Sequence, residues 1–344
     1  RMSGIPLTFE QGEDERLVMD TARRFAGTLT SRMRESESHG LSGDLQRDYE
    51  ALELTRLHWP ESSGGSAMGM RLKLQTLSEL ALADAAATLA LEWPSWSRFS
   101  VATHAPELAL DQTAAVAVDV DERLSVDGHG LQGKWAYLPA LDPTHLYVLK
   151  GTQLHLACDS QLSSAPVKAG ALHAAGGCSV ELSGSRQVEL SVAAASQLSA
   201  HWRLFFGALL AGISRAAYAH AREYCLQRTT FGKKVAHHQG VAFILADMLV
   251  AVESSNLMLE RVGVLLDTEG WGANAVEFAE SAYLQAVEGS LFVTTYAVQL
   301  LGAAGYVSDH PVEKWMREAR ALSVLCGGVD ASRENAALFL EQVN

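Results

Sequence analysis

The sequence is poor in cysteine, in basic residues and in long uninterrupted apolar runs, and each shortage removes a class of function. Only four cysteines occur in 344 residues: Cys158, Cys178, Cys225 and Cys326. None forms a CxxC pair and none clusters with histidine at metal-ligand spacing, so neither a disulfide scaffold nor a zinc site is expected. Reduced thiols in a cytoplasmic protein are the plain reading. His237-His238 is an adjacent pair, and neighbouring residues on a helix point in different directions, so one metal would not be held by both. Lys and Arg total 27 against 40 Asp and Glu, a net charge of −13. An acidic surface repels phosphate backbones, which argues against nucleic acid as a partner. No apolar run reads as long enough to span a bilayer. No basic, apolar and small-residue succession marks a signal peptide. No membrane association is expected.

What is present is a large stock of apolar residues, 48% of the chain, enough for a substantial core and more than one domain. Residues 8 to about 100 read as helices. Thr8-Phe9-Glu10-Gln11 fits a capping box, and Val18, Ala22, Phe25 and Leu29 follow at helical spacing. Pro60-Glu61-Ser62-Ser63-Gly64-Gly65 breaks that pattern as a turn, and a further helix is expected from about Gly69 to Leu91. Between about 112 and 195 the period changes to two. Val116, Val118 and Val120 alternate with small or charged residues. Leu146 to Leu149 and Leu154 to Ala157 flank Gly151-Thr152 as a hairpin, and Val180-Glu181-Leu182 and Val188-Glu189-Leu190 flank Gly184 in the same way. From about Ser199 the helical period returns, with helices expected near 202–227, 240–267, 273–301 and 311–325 in an up-down bundle. The fold class is therefore α+β, mainly α. An N-terminal helical domain (1–107) precedes a middle antiparallel β-domain (108–198) and a C-terminal four-helix bundle (199–344).

One short run carries chemistry. Arg228 follows a long amphipathic helix and precedes Thr230, Phe231 and Gly232. A guanidinium offers forked donors that suit a pyrophosphate. Thr230 adds a hydroxyl, Phe231 can lie against a flat ring, and the Gln239 amide both donates and accepts, as adenine or ribose requires. Taken alone, the same residues also read as a helix C-cap and a core phenylalanine.

The wider context weights the first reading. Tyr224-Cys225-Leu226-Gln227-Arg228-Thr229-Thr230-Phe231-Gly232-Lys233-Lys234, then His238-Gln239 and Leu245-Ala246-Asp247-Met248, closely resembles the acyl-CoA dehydrogenase family. Ala297-Val298-Gln299-Leu300-Leu301-Gly302-Ala303-Ala304-Gly305-Tyr306 looks like the family's Gln-x-x-Gly-Gly-x-Gly turn. Pro311-Val312-Glu313-Lys314 and Arg317-Glu318-Ala319-Arg320 continue the likeness. So do Pro60-Glu61 with Gly64-Gly65, Leu77 to Asp84, and Gly133-Lys134-Trp135. The resemblance runs through nearly the whole chain in order. It implies two helical domains around a β-domain, dimers or dimers of dimers, and FAD. The implied reaction is α,β-dehydrogenation of an acyl-CoA thioester, in which a carboxylate takes the α-proton and the flavin the β-hydride. Electrons then pass to an electron-transfer flavoprotein.

The departures are informative. Where many members carry their base, in a Tyr-Glu-Gly-Thr run, this sequence reads Leu325-Cys326-Gly327-Gly328, so Cys326 takes the base position. Other members place the base at the start of the helix leading to the Arg-x-x-Phe-Gly motif. Counting back gives Trp202, beside Arg203, which matches an active-site arginine of the family and equally suits a structural ion pair. An ordinary thiol has a pKa of ~8.5 and needs a cationic neighbour to act as a base; otherwise Cys326 is a small buried hydrophobe. Asp330 lies in the following turn, either near the site or as a solvated helix cap. The family's Thr-Glu-Pro-x-x-Gly-Ser-Asp strand has no counterpart between Ser100 and Trp135. The Trp-Ile-Thr triplet reads Trp135-Ala136-Tyr137, so Tyr137 replaces the threonine that faces the flavin.

In dimers of the family each FAD lies across the interface. The pyrophosphate and adenosine are held by the neighbour's Arg-x-Thr-Phe-Gly motif, its glutamine and the glycine turn. This chain keeps that half: Arg228, Thr230, Phe231, Gln239, Gln299, Gly302 and Gly305, with Ala303 in place of one glycine. It lacks the half that holds its own flavin ring. The resemblance therefore implies a subunit that lends its half of a shared FAD site to a catalytic acyl-CoA dehydrogenase partner. A self-sufficient flavoenzyme with another base, and a scaffold of the same fold without redox function, remain as alternatives.

Overall fold

A computed structural model describes residues 11–110, 114–118 and 123–340. The expected cap at Thr8 and the strand residue Val120 lie outside the described residues. The first helix, α1 (Glu13–His39), is capped at Gly12, whose amide donates to Glu15 at 3.1 Å. Glu13, Asp14 and Glu15 in its first turn complement the positive end of the helix dipole. A short α2 (Gly43–Glu50) and two 3-10 turns at Leu54–Arg56 and Glu61–Ser63 follow, in keeping with the turn expected after Pro60.

Helix α3 (Met70–His104) runs well past the expected end at Leu91. It starts on a tertiary cap, the Asp267 carboxylate accepting from the amides of Met70 and Arg71. It is broken once, at Asp84 (φ −156°, ψ 105°), where the side chain caps the second segment by accepting from the Ala87 amide at 3.0 Å. Lys314 donates to the same carboxylate at 3.1 Å and to Glu318 at 2.6 Å, and all three side chains are buried.

The strands form two four-stranded sheets. The first orders β1 (Ala115–Val118), β4 (His145–Lys150), β5 (Gln153–Cys158) and β8 (Arg186–Glu189). The second orders β2 (Ser125–Asp127), β3 (Gly130–Leu138), β7 (Cys178–Ser183) and β6 (Leu162–Pro166). The Gly151-Thr152 hairpin is present, with Lys150 opposite Gln153. The second expected hairpin is not: β7 pairs with β3 and β6, whereas β8 pairs with β5. Gly184-Ser185 is thus a corner at which the chain changes sheet, and alternation alone does not tell a corner from a turn. The β-domain is also not wholly antiparallel, because β1 runs parallel to β4. Leu146 and Val148 face the core between the sheets, while Tyr147 and Leu149 face the helices. Burial on both sides explains why this strand is continuously apolar.

The chain re-enters helix at Val192, earlier than the expected return near Ser199. Ser191 caps α4 (Val192–Gln227), its hydroxyl accepting from the Ala194 amide at 3.1 Å. Helix α4 is the central rod, packed between α3 and α6 (Ala273–Leu301). It approaches α3 closely at Gly212, where a Cβ would stand 2.4 Å from the Ser78 carbonyl. Helix α5 (Gln239–Glu269) covers α6 and α3. The last expected helix divides into α7 (Val312–Leu322), a 3-10 turn at Leu325–Gly327, and α8 (Gly328–Leu340).

Among the described residues two helices are in fact apolar and long enough to cross a membrane by composition, correcting the expectation from apolar runs. In α4 that apolar window is 78% buried in the fold, whereas in α5 it is only 22% buried. Phe243, Val250 and Leu257 of α5 are exposed.

Candidate functional site

The residues singled out in the sequence assemble at two places. The first is an outer edge of the bundle. Helix α4 ends at Arg228, and β9 (Thr229–Thr230) and β10 (Lys233–Lys234) form a two-residue hairpin. Its turn residues both have positive φ, 49° at Phe231 and 79° at Gly232, the combination that suits the twist of a hairpin. For glycine this conformation is unstrained; for a phenylalanine it costs free energy. Phe231 is also 97% exposed, with the His238 ring 6.4 Å away, so burial among the described residues does not compensate.

The side chains around it point outward as well. The Arg228 guanidinium is exposed and makes no hydrogen bond or ion pair among the described residues. Gln239, the first residue of α5, is exposed, and Thr230 is half-buried, its carbonyl 3.3 Å from the His238 ring nitrogen Nε2. The other part of the edge follows α6. Gln299 is exposed near the end of that helix, and Gly302 (φ 59°) starts the turn Gly302–Tyr306. Gly305 must be glycine, since a Cβ there would stand 2.6 Å from the Val298 carbonyl. Ala303 is exposed and Tyr306 is 77% exposed. The rings of Tyr224, one turn before Arg228, and His310, beyond Tyr306, lie 5.6 Å apart, so both parts occupy the same end of the molecule.

The second place is a cleft of about 230 Å³ where helices and β-domain meet. Its walls include Trp93 of α3, Phe206 of α4, Trp135 and Tyr137 of β3, and Cys326. The volume is below the roughly 300–1,000 Å³ usual for a small-molecule site. Trp93 and Phe206, whose ring centroids are 4.7 Å apart, take up much of the space between the two helices. Tyr137 fills the corner beside Gly177, where a Cβ would come within 2.8 Å of its ring. Burial pushes the Tyr137 phenol up to about 12. No carboxylate lines the cleft among the described residues.

Cys326 does reach this cleft, on a backbone of positive φ (50°). Burial pushes its thiol up to about 12, the Arg203 charge offsetting only part of that rise, so no appreciable thiolate forms at neutral pH. Arg203 does not line the cleft. Its Nε and Nη2 donate to Glu280 at 2.7 and 2.6 Å, and Nη1 donates to the Cys326 carbonyl at 3.0 Å. Ser332 and Asn335 of α8 complete the Glu280 carboxylate. This network pins α4, α6, α8 and the Cys326 turn together. Sequence reasoning passed over Glu280, yet it sits one turn from Val276 and close to Tyr283, both core positions of α6. A glutamate in such a row requires a buried partner. Trp202 faces α3, its indole donating to Ser100 at 2.8 Å, and Asp330 is exposed in the first turn of α8.

Residues 192–338 match the family described as acyl-CoA dehydrogenase, C-terminal domain. Over that stretch the chain carries an acyl-CoA dehydrogenase C-terminal domain. Among curated members, a cyclohex-1-ene-1-carbonyl-CoA dehydrogenase of Geobacter metallireducens is 37% identical over 125 residues, which are 36% of this chain and 32% of that relative. The chain thus matches about a third of that dehydrogenase's length. Two solved structures share the fold over nearly all of both chains. A glutaryl-CoA dehydrogenase from Mycobacterium smegmatis in complex with FADH2 superposes with a TM-score of 0.78 at 17% identity, covering 96% of this chain and 95% of that one. The ChsE4–ChsE5 complex from Mycobacterium tuberculosis gives a TM-score of 0.78 at 18% identity, covering 97% of this chain and 99% of that one. That M. smegmatis structure holds FADH2, and the two places in this chain differ in how their chemistry would fit such a group. The outer edge suits a pyrophosphate and an adenosine: a cationic fork and two amides without partners among the described residues, and a glycine turn. The inner cleft, narrow and walled by aromatic rings, does not suit a flavin ring.

Proposed function

We propose that this chain is one subunit of an FAD-dependent acyl-CoA dehydrogenase. It lends the pyrophosphate and adenosine half of an FAD site to a partner subunit, which carries out the α,β-dehydrogenation of an acyl-CoA thioester. When bound, FAD supplies the hydride acceptor for that reaction. In this reading Arg228 forks onto the pyrophosphate, Thr230 adds a donor, Phe231 covers the adenosine side, and Gln239 and Gln299 bond its polar atoms. The backbone at Gly302 and Gly305 permits close approach. The exposed face of α5 packs on the partner.

One observation carries the reading: Phe231 is held in a strained conformation with its ring almost wholly in solvent. Strain and apolar exposure together at one residue persist where a bound molecule compensates them. The contents of the cleft support the non-catalytic part. Its one thiol is held protonated, and Asp330 stays outside it. A self-sufficient enzyme would need a base that neither of these provides.

The test is the absorbance of the flavin bands in the full chain purified alone and with a catalytic acyl-CoA dehydrogenase subunit co-expressed. The chain alone should be colourless and the pair yellow. Arg228→Ala should strip FAD from the pair, weakening binding by roughly tenfold to a hundredfold, as loss of a charge-assisted hydrogen bond worth about 1.5–3 kcal/mol implies. Stoichiometric flavin and turnover in the lone chain would sink the proposal. Flavin-free protein under every condition would favour a scaffold role.

A further inference from the structure

A cluster of imidazole and indole rings ties three parts of the fold together, away from both places described above. His58 lies between the two 3-10 turns that precede α3, His104 is the last residue of α3, and His201 stands on α4. His104 Nε2 and His201 Nδ1 are 3.2 Å apart. The His201 ring lies 4.7 Å from Trp271, in the link between α5 and α6, and 5.0 Å from Trp96. The His58 ring lies 4.3 Å from Phe99 and 5.3 Å from Trp96. His58 and His201 thus face the same pair of aromatic rings from different elements. Both are buried, and among the described residues neither nitrogen of His58 nor Nε2 of His201 has a hydrogen-bond partner.

The charged and polar groups around them offer no counter-charge. Lys73 of α3 faces His58 and disfavours a second positive charge. Its own counter-ion, Glu92, is taken up by Lys73 at 2.6 Å and by the Tyr49 hydroxyl. Arg56 and Arg98 flank Trp59, at 5.4 and 5.1 Å from its ring, and add further positive charge. On α4, Gln197 bonds to His104 and donates to the Trp271 carbonyl at 2.8 Å. Trp202 donates to Ser100.

We propose that His58, His104 and His201 form an acid-sensitive clasp at the end of α3 where the chain passes into the β-domain. Neutral, the three rings let the 54–69 segment, α3 and α4 pack as one apolar unit. Protonated, they place several charges in a buried space where Gln197 serves His104 while His58 and His201 meet no carboxylate among the described residues, and they drive those elements apart. Next to the clasp the chain leaves α3 through Leu108, whose carbonyl accepts from Tyr147 of β4 at 2.8 Å, so opening would loosen the β-domain on the bundle.

The sign follows from the protonation states. Burial holds His58 and His201 well below the ordinary histidine range and lowers His104 to about 4. The unfolded chain binds protons near pH 6.5 and the folded chain does not. The stability these groups contribute is therefore complete above about pH 6.5 and falls away as pH drops. Each such proton raises the unfolding constant about tenfold per pH unit.

The experiment is urea unfolding of the full chain, followed by tryptophan fluorescence from pH 7.5 down to pH 5. His58→Phe and His201→Phe keep an aromatic ring in place and remove one proton each. Each variant should flatten the pH dependence of the unfolding constant by about tenfold per pH unit relative to wild type. Parallel pH profiles for wild type and both variants would overturn the clasp. Should either variant fail to fold, nitrogen NMR of the imidazoles in the wild-type protein decides. Rings still neutral in the folded state at pH 5.5 support the clasp, and rings that protonate near pH 6.5 without unfolding refute it.

Discussion

The guanidinium of Arg203 grips the carboxylate of Glu280 at two points inside the helical core, Nε to Oε2 at 2.7 Å and Nη2 to Oε1 at 2.6 Å. Removing one partner leaves the other as an uncompensated buried charge, which typically costs about 3–5 kcal/mol. Glu280→Ala should therefore destabilise the chain by that order in urea unfolding, with Glu280→Gln in between because the amide still bonds to Arg203. A loss below about 1 kcal/mol, the scale of an ordinary surface change, would show that the pair does not hold the Cys326 turn in place.

Cys326 stands where the resemblance places a base, and its burial predicts that it behaves as a hydrophobe. Alkylation of the folded chain at pH 8 should label the half-buried Cys158 first and leave Cys326 untouched. In the reconstituted pair, Cys326→Ala should turn over at the wild-type rate. A loss of a hundredfold or more, the scale associated with removing a general base, would return Cys326 to the chemistry.

Phe231 lends itself to a substitution with opposite effects on stability and binding. Asparagine tolerates positive φ better than phenylalanine does. Phe231→Asn should stabilise the isolated chain by about 1 kcal/mol and at the same time weaken FAD retention in the pair. Calorimetry and flavin titration measure the two separately. A destabilised variant would mean that the ring is anchored within the chain after all.

Glu318 shares the buried Lys314 with Asp84, and burial pushes its carboxyl up to about 7. The folded chain then holds a proton that the unfolded chain has lost. Stability from this group is complete below the ordinary carboxylate range and is lost as pH rises towards 7. The histidine clasp acts in the opposite sense, so the difference between wild type and Glu318→Gln is the quantity to read. Relative to wild type, the variant should gain stability as pH rises from 5 to 7.5, by up to about 1.4 kcal/mol per pH unit. Identical profiles would show that Glu318 is ionised throughout.

The layers of the fold are legible in the sequence because helix and strand leave different local periods, and the Gly151-Thr152 hairpin is closed by adjacent residues. Gly184 shows the limit. Alternating residues on either side of a glycine look the same whether the two strands pair with each other or with strands far away. Helix bounds are legible only in part: α3 starts at Met70, beside the expected Gly69, but runs past Leu91 to His104, and α4 starts at Val192 rather than near Ser199. Helix α3 starts on Asp267 and α4 starts on Ser191. Pro94 lies inside α3 and reads locally as a stop, and the local cap of α4 is masked by the small-residue stretch that follows it.

By itself, the sequence determined the outer edge. Arg228, Thr230, Phe231 and Gln239 fall within one helix end, one tight hairpin and one helix start, and short-range backbone geometry is enough to place them. What the sequence could not determine was the fate of Arg203 and Cys326. Arg203 meets Glu280 across 77 positions and the Cys326 carbonyl across 123. A charged side chain in an apolar helix must find a partner, but packing alone decides whether that partner is a substrate or another side chain. Here the tertiary structure turned the arginine inward to an ion pair, buried the thiol as an acid too weak to ionise, and left the hairpin facing outward.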